Sequence, residues 1–233
     1  MNLLSASHRW LRRLAVVSAM AGSAAAVAGP GDTASLSFSD SAATQVPNWQ
    51  DTLFISQFDS SLGTLTSVTL SFSGHNTGTL AAENLATAGT LNLAGTATYS
   101  LNSAVWNLTG SATAAHVFNA AGFDGSVNYG GASGATFTNA TGAYSDSITL
   151  TSGLEAFIGS GQLAFGVNVV GGSSYTGTGA AVVTFAQSAD AALSVTYHYT
   201  TPGAVSVVYE PGTQALFLLG LALFGWVARS RRP

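Results

Sequence analysis

Apolar and hydroxyl-bearing residues alternate in short runs along most of this chain, and that period of two limits its fold more than any other feature. Ser67–Phe72 reads SVTLSF, with Val68, Leu70 and Phe72 on one side and Ser or Thr on the other. The pattern returns at Leu91, Leu93, Ala97, Tyr99 and Leu101, at Ile148 and Leu150, and at Leu193, Val195, Tyr197 and Tyr199. Alternate residues of an extended chain point to opposite faces, so each run is a strand with one buried and one wet face. Gly, Asn, Asp and Ser separate the runs, as turns between antiparallel strands require. QLAFGVNVV (162–170) and GAAVVTFA (179–186) are more continuously apolar, which suits central strands. The expectation is an all-β antiparallel sandwich of about nine to eleven strands, with no helix before residue 212. Residues 122–142 are rich in Gly, Ser and Asn and read as a long loop or weakly paired hairpins. Halves of roughly 80–90 residues would each bury a modest core without cysteines to staple it, so one domain is expected.

Charge is scarce and sorted by position. Charged residues make up 7% of the chain, against about 25% in an average soluble domain. The basic residues are Arg9, Arg12, Arg13, Arg229, Arg231 and Arg232, and nothing between Leu14 and Ala228 is Lys or Arg. The acids lie almost wholly within that interval. Nucleic-acid binding by the interior is thereby excluded, because nothing there neutralises phosphate. Cysteine is absent, which removes thiol catalysis and thiolate metal sites.

Motifs of chemistry are missing as well. There is no G-x-S-x-G elbow, no H-E-x-x-H helix and no calcium loop of alternating acids, and a P-loop lacks its lysine. His75, His116 and His198 are far apart in sequence and read as ordinary exposed or half-buried histidines. No enzyme and no cofactor is expected. Glu83-Asn84 has two readings, a ligand site for an ion such as calcium or a structural carboxylate accepting backbone N–H groups at a strand end, and the second is favoured. Asp59 in FDSSLG is expected to close an Asx turn. Trp49, Trp106 and Tyr129 are candidate stacking platforms for sugar rings, with burial in the core or rim as the alternative.

The two ends differ from the middle. Arg9, Arg12 and Arg13 precede an apolar stretch from Leu14 to Val27, and Ala26-Val27-Ala28 places small residues before a cut. Residues 1–28 are expected to be a secretory signal peptide ending at Ala26 and Ala28. At the other end, Pro211–Ala228 carries no charge. A helix over 212–228 would be ~26 Å long, close to the hydrocarbon core of a bilayer. Tyr209 and Trp226 stand near its ends, and Arg229, Arg231 and Arg232 follow as a cytoplasmic stop. A buried core helix is the alternative. The remaining boundaries fall at 29–201 for the sandwich, 202–208 for a spacer and 209–233 for the terminal segment.

Glu210, Pro211, Thr213, the Leu/Gly-rich run and the terminal arginines resemble the PEP-CTERM sorting signal of Gram-negative bacteria. Tyr209 stands where that family has its first proline. The resemblance implies export by the Sec translocon and recognition of Tyr209, Glu210, Pro211, Arg229, Arg231 and Arg232 by an exosortase. It also implies passage through the cytoplasmic membrane as a transmembrane intermediate, then release to the cell surface or polysaccharide matrix. More weakly, Gln57–Gly74, Glu83-Asn84 and Val195–Thr200 resemble elements of the choice-of-anchor E domain, which implies surface placement and no particular activity. Together these features predict a secreted structural or adhesive protein whose partners are matrix polysaccharide or its own copies. A carbohydrate-binding module and a weak extracellular hydrolase are the alternatives.

Overall fold

The structure, a computed structural model, describes residues 31–177 and 179–202. The expected signal peptide with Ala26 and Ala28, the spacer from residue 203 on, and the segment from Tyr209 to Arg232 with its helix lie outside the described residues. The described residues form eight strands: β1 (Thr33–Gln45), β2 (Trp49–Ser56), β3 (Thr64–Asn84), β4 (Gly89–Asn102), β5 (Leu108–Ala120), β6 (Gly134–Leu150), β7 (Gln162–Gly177) and β8 (Ala181–Thr200). Two single 3-10 turns, Ser60–Leu62 and Leu154–Phe157, are the helical elements among them. No helix among the described residues is long and apolar enough to cross a membrane.

Eight strands stand where nine to eleven were expected, because weak-looking residues lie inside long strands. β3 continues through Gly74, Asn76 and Gly78, where it pairs on both sides, with β6 and with β8. A ladder on each edge holds backbone that its own side chains would leave loose. Likewise only 121–133 of the Gly-rich stretch is loop, since β6 already begins at Gly134.

All ladders are antiparallel, and the strands form two four-stranded sheets, β1-β8-β3-β6 and β2-β7-β4-β5. The pairs β1/β8, β2/β7, β3/β6 and β4/β5 are the rungs of one long antiparallel ribbon folded back at the β4–β5 connection. Rolling that ribbon adds the contacts β8/β3 and β7/β4, which is the jelly-roll arrangement.

The alternation read from sequence sets the inner faces. Val68, Leu70, Phe72, Tyr99, Leu101, Phe165, Val167, Leu193, Val195 and Tyr197 are buried in one cluster between the sheets. A smaller cluster of Leu80, Ala82, Leu91, Leu93 and Ala120 fills the end where β3 finishes. Each fully buried aliphatic or aromatic side chain contributes about 1.5–3 kcal/mol. Between the clusters sits a polar bridge. The Asn76 amide donates to Gly95 O (2.8 Å) and to Gln187 Oε1 (2.9 Å), and Gln187 Nε2 donates to Gly172 O (2.9 Å). Two tyrosines also tie sheet to sheet: Tyr99 OH donates to His75 O (2.7 Å) and Tyr197 OH to Ser56 O (2.8 Å). The two four-stranded sheets and both clusters lie within residues 31–202.

The sandwich closes along two seams. On one, β5 and β6 abut through small residues: a side chain at Gly142 would collide with the Thr113 backbone, and one at Gly110 with the Tyr144 ring. On the other, Asp40 of β1 reaches β2, where Oδ2 accepts the Phe54 N–H (2.8 Å) while Oδ1 accepts that of Ser41 (2.8 Å).

Candidate functional site

The direction of the strands gives the sandwich two unlike poles. The start of β1 and the end of β8 are paired, Thr33 opposite Thr200, and Thr201 N donates to Asp32 O (3.0 Å). Both ends of the domain therefore leave from one pole, shared with the loops 57–63, 103–107 and 151–161. The opposite, distal pole carries 85–88, 121–133 and 179–180, while the 46–48 turn lies midway, beside Ala189 and Val169. The 21 residues of β3 run from one pole to the other, a span of roughly 65 Å at about 3.3 Å per residue.

Leu85, Phe123 and Val127 are exposed apolar side chains of the distal pole. Glu83 and Asn84 organise it. The Glu83 side chain is fully buried although it projects from the outer side of β3, because the 121–133 loop folds over it. Its Oε2 accepts the N–H groups of Tyr129 (2.8 Å) and Asn128 (3.3 Å), and Oε1 has no partner. Gly134, opposite Glu83 in the ladder, leaves room for that carboxylate. The Asn84 amide donates to Thr87 O (2.9 Å) and Ala121 O (2.8 Å) and accepts from Ala86 N (3.1 Å). The pair stitches two loops to the end of β3, which is the structural role favoured from sequence.

The outer face of the β1-β8-β3-β6 sheet is a lattice of hydroxyls. Ser37, Thr196, Thr69 and Thr149 lie in one row across all four strands, and Ser39, Ser194, Ser71 and Ser147 in the next. Strand pleat and pairing place such hydroxyls about 4.8 Å apart across strands and about 6.8 Å apart along them. Ser37 bonds Thr196 (2.8 Å) and Thr69 bonds Thr149 (3.0 Å). A shallow groove there is lined by Ser39, Ser71, Ser73, Ser145, Ser147 and Ser194.

The aromatic candidates are not assembled. Trp49 and Trp106 are each 8% exposed and belong to the core cluster, so neither presents a ring face to solvent. Trp49 opens β2 midway along the sandwich, opposite Val169, and Trp106 lies in the 103–107 loop at the terminal pole. Tyr129 is partly exposed in the distal loop with φ 55°, and its backbone is fixed by Glu83 and by Thr136 Oγ1 (3.2 Å). The even spacing of Trp49 from Leu53 and Ile55 was the signal that could have placed it inside; Trp106 lies in a loop, where alternation gives no such signal.

The histidines do not converge either. His75 Nδ1 pairs with Asp190 Oδ1 at 3.0 Å across β3 and β8, on an exposed surface. Among the described residues no serine or threonine hydroxyl is bonded to that pair. His116 stacks on Phe137 with ring centroids 3.6 Å apart. His198 lies opposite Ser67, eight positions along β3 from His75, or roughly 26 Å away. No group of three potential metal ligands occurs among the described residues. Asp59 does close the expected turn, accepting the Ser61 N–H (2.8 Å), and that hydrogen bond holds its carboxyl below the usual range.

The class of molecule defined this far is a jelly roll with few charges on its sheets and with Thr33 and Thr200, the ends of its first and last strands, at one pole. Residues 210–232 match the PEP-CTERM protein-sorting motif. No curated protein matches the chain. Over 84% of its length it aligns with 50% of a chain from the structure of infectious bursal disease virus Gx strain, at 12% identity and a TM-score of 0.18. For the Gt strain structure, 82% of this chain aligns with 47% of the viral chain, at 15% identity and a TM-score of 0.10. The chain thus spans about half the length of the viral chains, and the overlap is too slight to define a shared fold.

Proposed function

We propose that this chain is exported, processed by an exosortase at its C-terminal motif, and delivered to the cell surface or extracellular polysaccharide matrix. There the jelly roll serves as a structural or adhesive unit. The match of residues 210–232 to the sorting motif carries this reading. The shared pole of the two ends supports it: a chain tethered by its C-terminal segment projects its distal loops roughly 65 Å away from that tether. The weaker likeness to choice-of-anchor E domains agrees with surface placement. Two of the stretches that carry it are neighbours in space, since Thr64–Leu70 pairs with Val195–Thr200, while Glu83-Asn84 stands at the far end of the same strand. Neutral matrix polysaccharide is the second reading for a partner, favoured by the serine-lined groove and by the absence of any Lys or Arg between Leu14 and Ala228 that would hold an acidic polymer.

The test is processing in the native host. Replacing Glu210 and Pro211 by Ala should leave an unprocessed, membrane-bound protein, read by intact mass and fractionation. If the wild-type protein also keeps residues 212–233, with the exosortase present, the segment is a plain anchor and the reading is wrong.

A further inference from the structure

Most edges of this sandwich are guarded. β5 and β6 close on each other through Gly110 and Gly142, and Asp40 occupies the Phe54 N–H of β2. The edge of β7 is capped by the 46–48 turn, where Asn48 N donates to Val169 O (2.8 Å) and Asn48 Oδ1 accepts from Gly171 N (3.2 Å). Among the described residues two edge segments are left over, the Gly- and Ser-rich Gly172–Gly177 of β7 and a more strand-forming one on β8. β8 pairs with β1 only from Ala189 to Thr200, whereas its ladder to β3 continues back to Ala181. Among the described residues no strand pairs the second edge of β8 between Ala181 and Ser188.

That segment reads AVVTFAQS. It has no charge, no proline and no glycine, and it is rich in the β-branched and aromatic residues that favour strands. Lys, Pro, bulges and inward-pointing charges are the usual protection of an edge, and none is present here. A free antiparallel edge is also complementary to itself: a two-fold axis through its middle sets the same backbone donors and acceptors opposite each other. Charge does not oppose the pairing: Glu83, opposite Val182 in the ladder, is buried under the 121–133 loop, and Asp190 faces His75.

We propose that Ala181–Ser188 is a self-association edge, which pairs antiparallel with the same segment of a second copy and joins two β1-β8-β3-β6 sheets into one. The occupant is a second copy, because the recognition surface is backbone and matches itself in register. The two-fold sets the terminal poles of the two copies in opposite directions, so a dimer presents a C-terminal segment at each end. The inference deepens the structural role in the matrix, and rests on that reading only for its use, since association is a property of residues 31–202 alone.

The experiment uses residues 31–202, which contain both sheets and both cores. Sedimentation of the wild type from micromolar to millimolar concentration should show a monomer–dimer equilibrium. Amide exchange in Ala181–Ser188 should slow as dimer forms. The variant Thr184→Lys/Ala186→Lys changes two exposed side chains and sets like charges across the two-fold. It should weaken association by about a hundredfold or more with an unchanged melting temperature. A wild type that stays monomeric at about 1 mM, a variant that dimerises as well as wild type, or protection appearing in β7 instead would each overturn the proposal. Processing at Glu210-Pro211 is measured separately and is untouched by any of these results.

Discussion

Tyr99 and Tyr197 are core side chains by alternation, but each spends its hydroxyl on the opposite sheet. Their rings pack with Phe72 and with Phe38, Phe58 and Phe157, and their hydroxyls reach His75 O and Ser56 O. Tyr99→Phe and Tyr197→Phe should each lower stability by about 0.5–1.5 kcal/mol in urea unfolding, since the ring stays and a buried carbonyl loses its donor. Burial pushes both phenols well above their ordinary value, with Asp190 adding a smaller repulsion at Tyr99. A raised folded pKa means the folded state keeps its protons longer. Their contribution is therefore full below about pH 10, the ordinary phenol value, and is lost as pH rises beyond it. Alkaline unfolding followed by tyrosinate absorbance should move to higher pH in the double Phe variant. The alternation gave the inward direction of these rings. It could not give their hydroxyl partners, which come from strands 24 and 141 positions away.

At the scale of elements, the seam between β1 and β2 depends on one carboxylate. Asp40→Ala should free the Phe54 N–H and cost about 1–3 kcal/mol through the group left without its partner. It should also open the β2 edge, so that the variant self-associates at concentrations where the wild type does so less, as measured by sedimentation. In sequence Asp40 is one polar residue on an alternating strand, and nothing marks it as an edge plug. The strand count failed for a related reason. Gly74, Asn76 and Gly78 look like breaks locally, yet a ladder on either side carries β3 through them. Glu83-Asn84 was legible as a strand-end pair because a carboxylate followed by an amide suits backbone capping. The loop they hold, 121–133, was legible from its composition, though its end at Gly134 was not.

For the whole molecule, the distribution of charge makes a simple prediction. If cuts fall near Ala28 and near Pro211, the mature protein contains no Lys and no Arg. Trypsin should leave it in one piece even after heat unfolding, while the precursor loses only its ends. Release of a peptide ending at Arg229, seen by mass spectrometry, would show that the C-terminal segment was retained. The same mature protein should focus well below the isoelectric point of about 5.3 of the full chain.

By itself the sequence determined the all-β class, the inward faces of the strands, the sorting motif at 210–232 and the absence of basic side chains between the ends. These are properties of neighbours in the chain: alternation, spacing and composition. Only the tertiary structure decided that the strands roll into one ribbon, that both ends share a pole, that Trp49 and Trp106 are buried, and that β8 keeps an unpaired edge at Ala181–Ser188. Each of these depends on which distant strands meet. Backbone hydrogen bonds are the same for every residue but proline, so the local pattern specifies a face without specifying a partner.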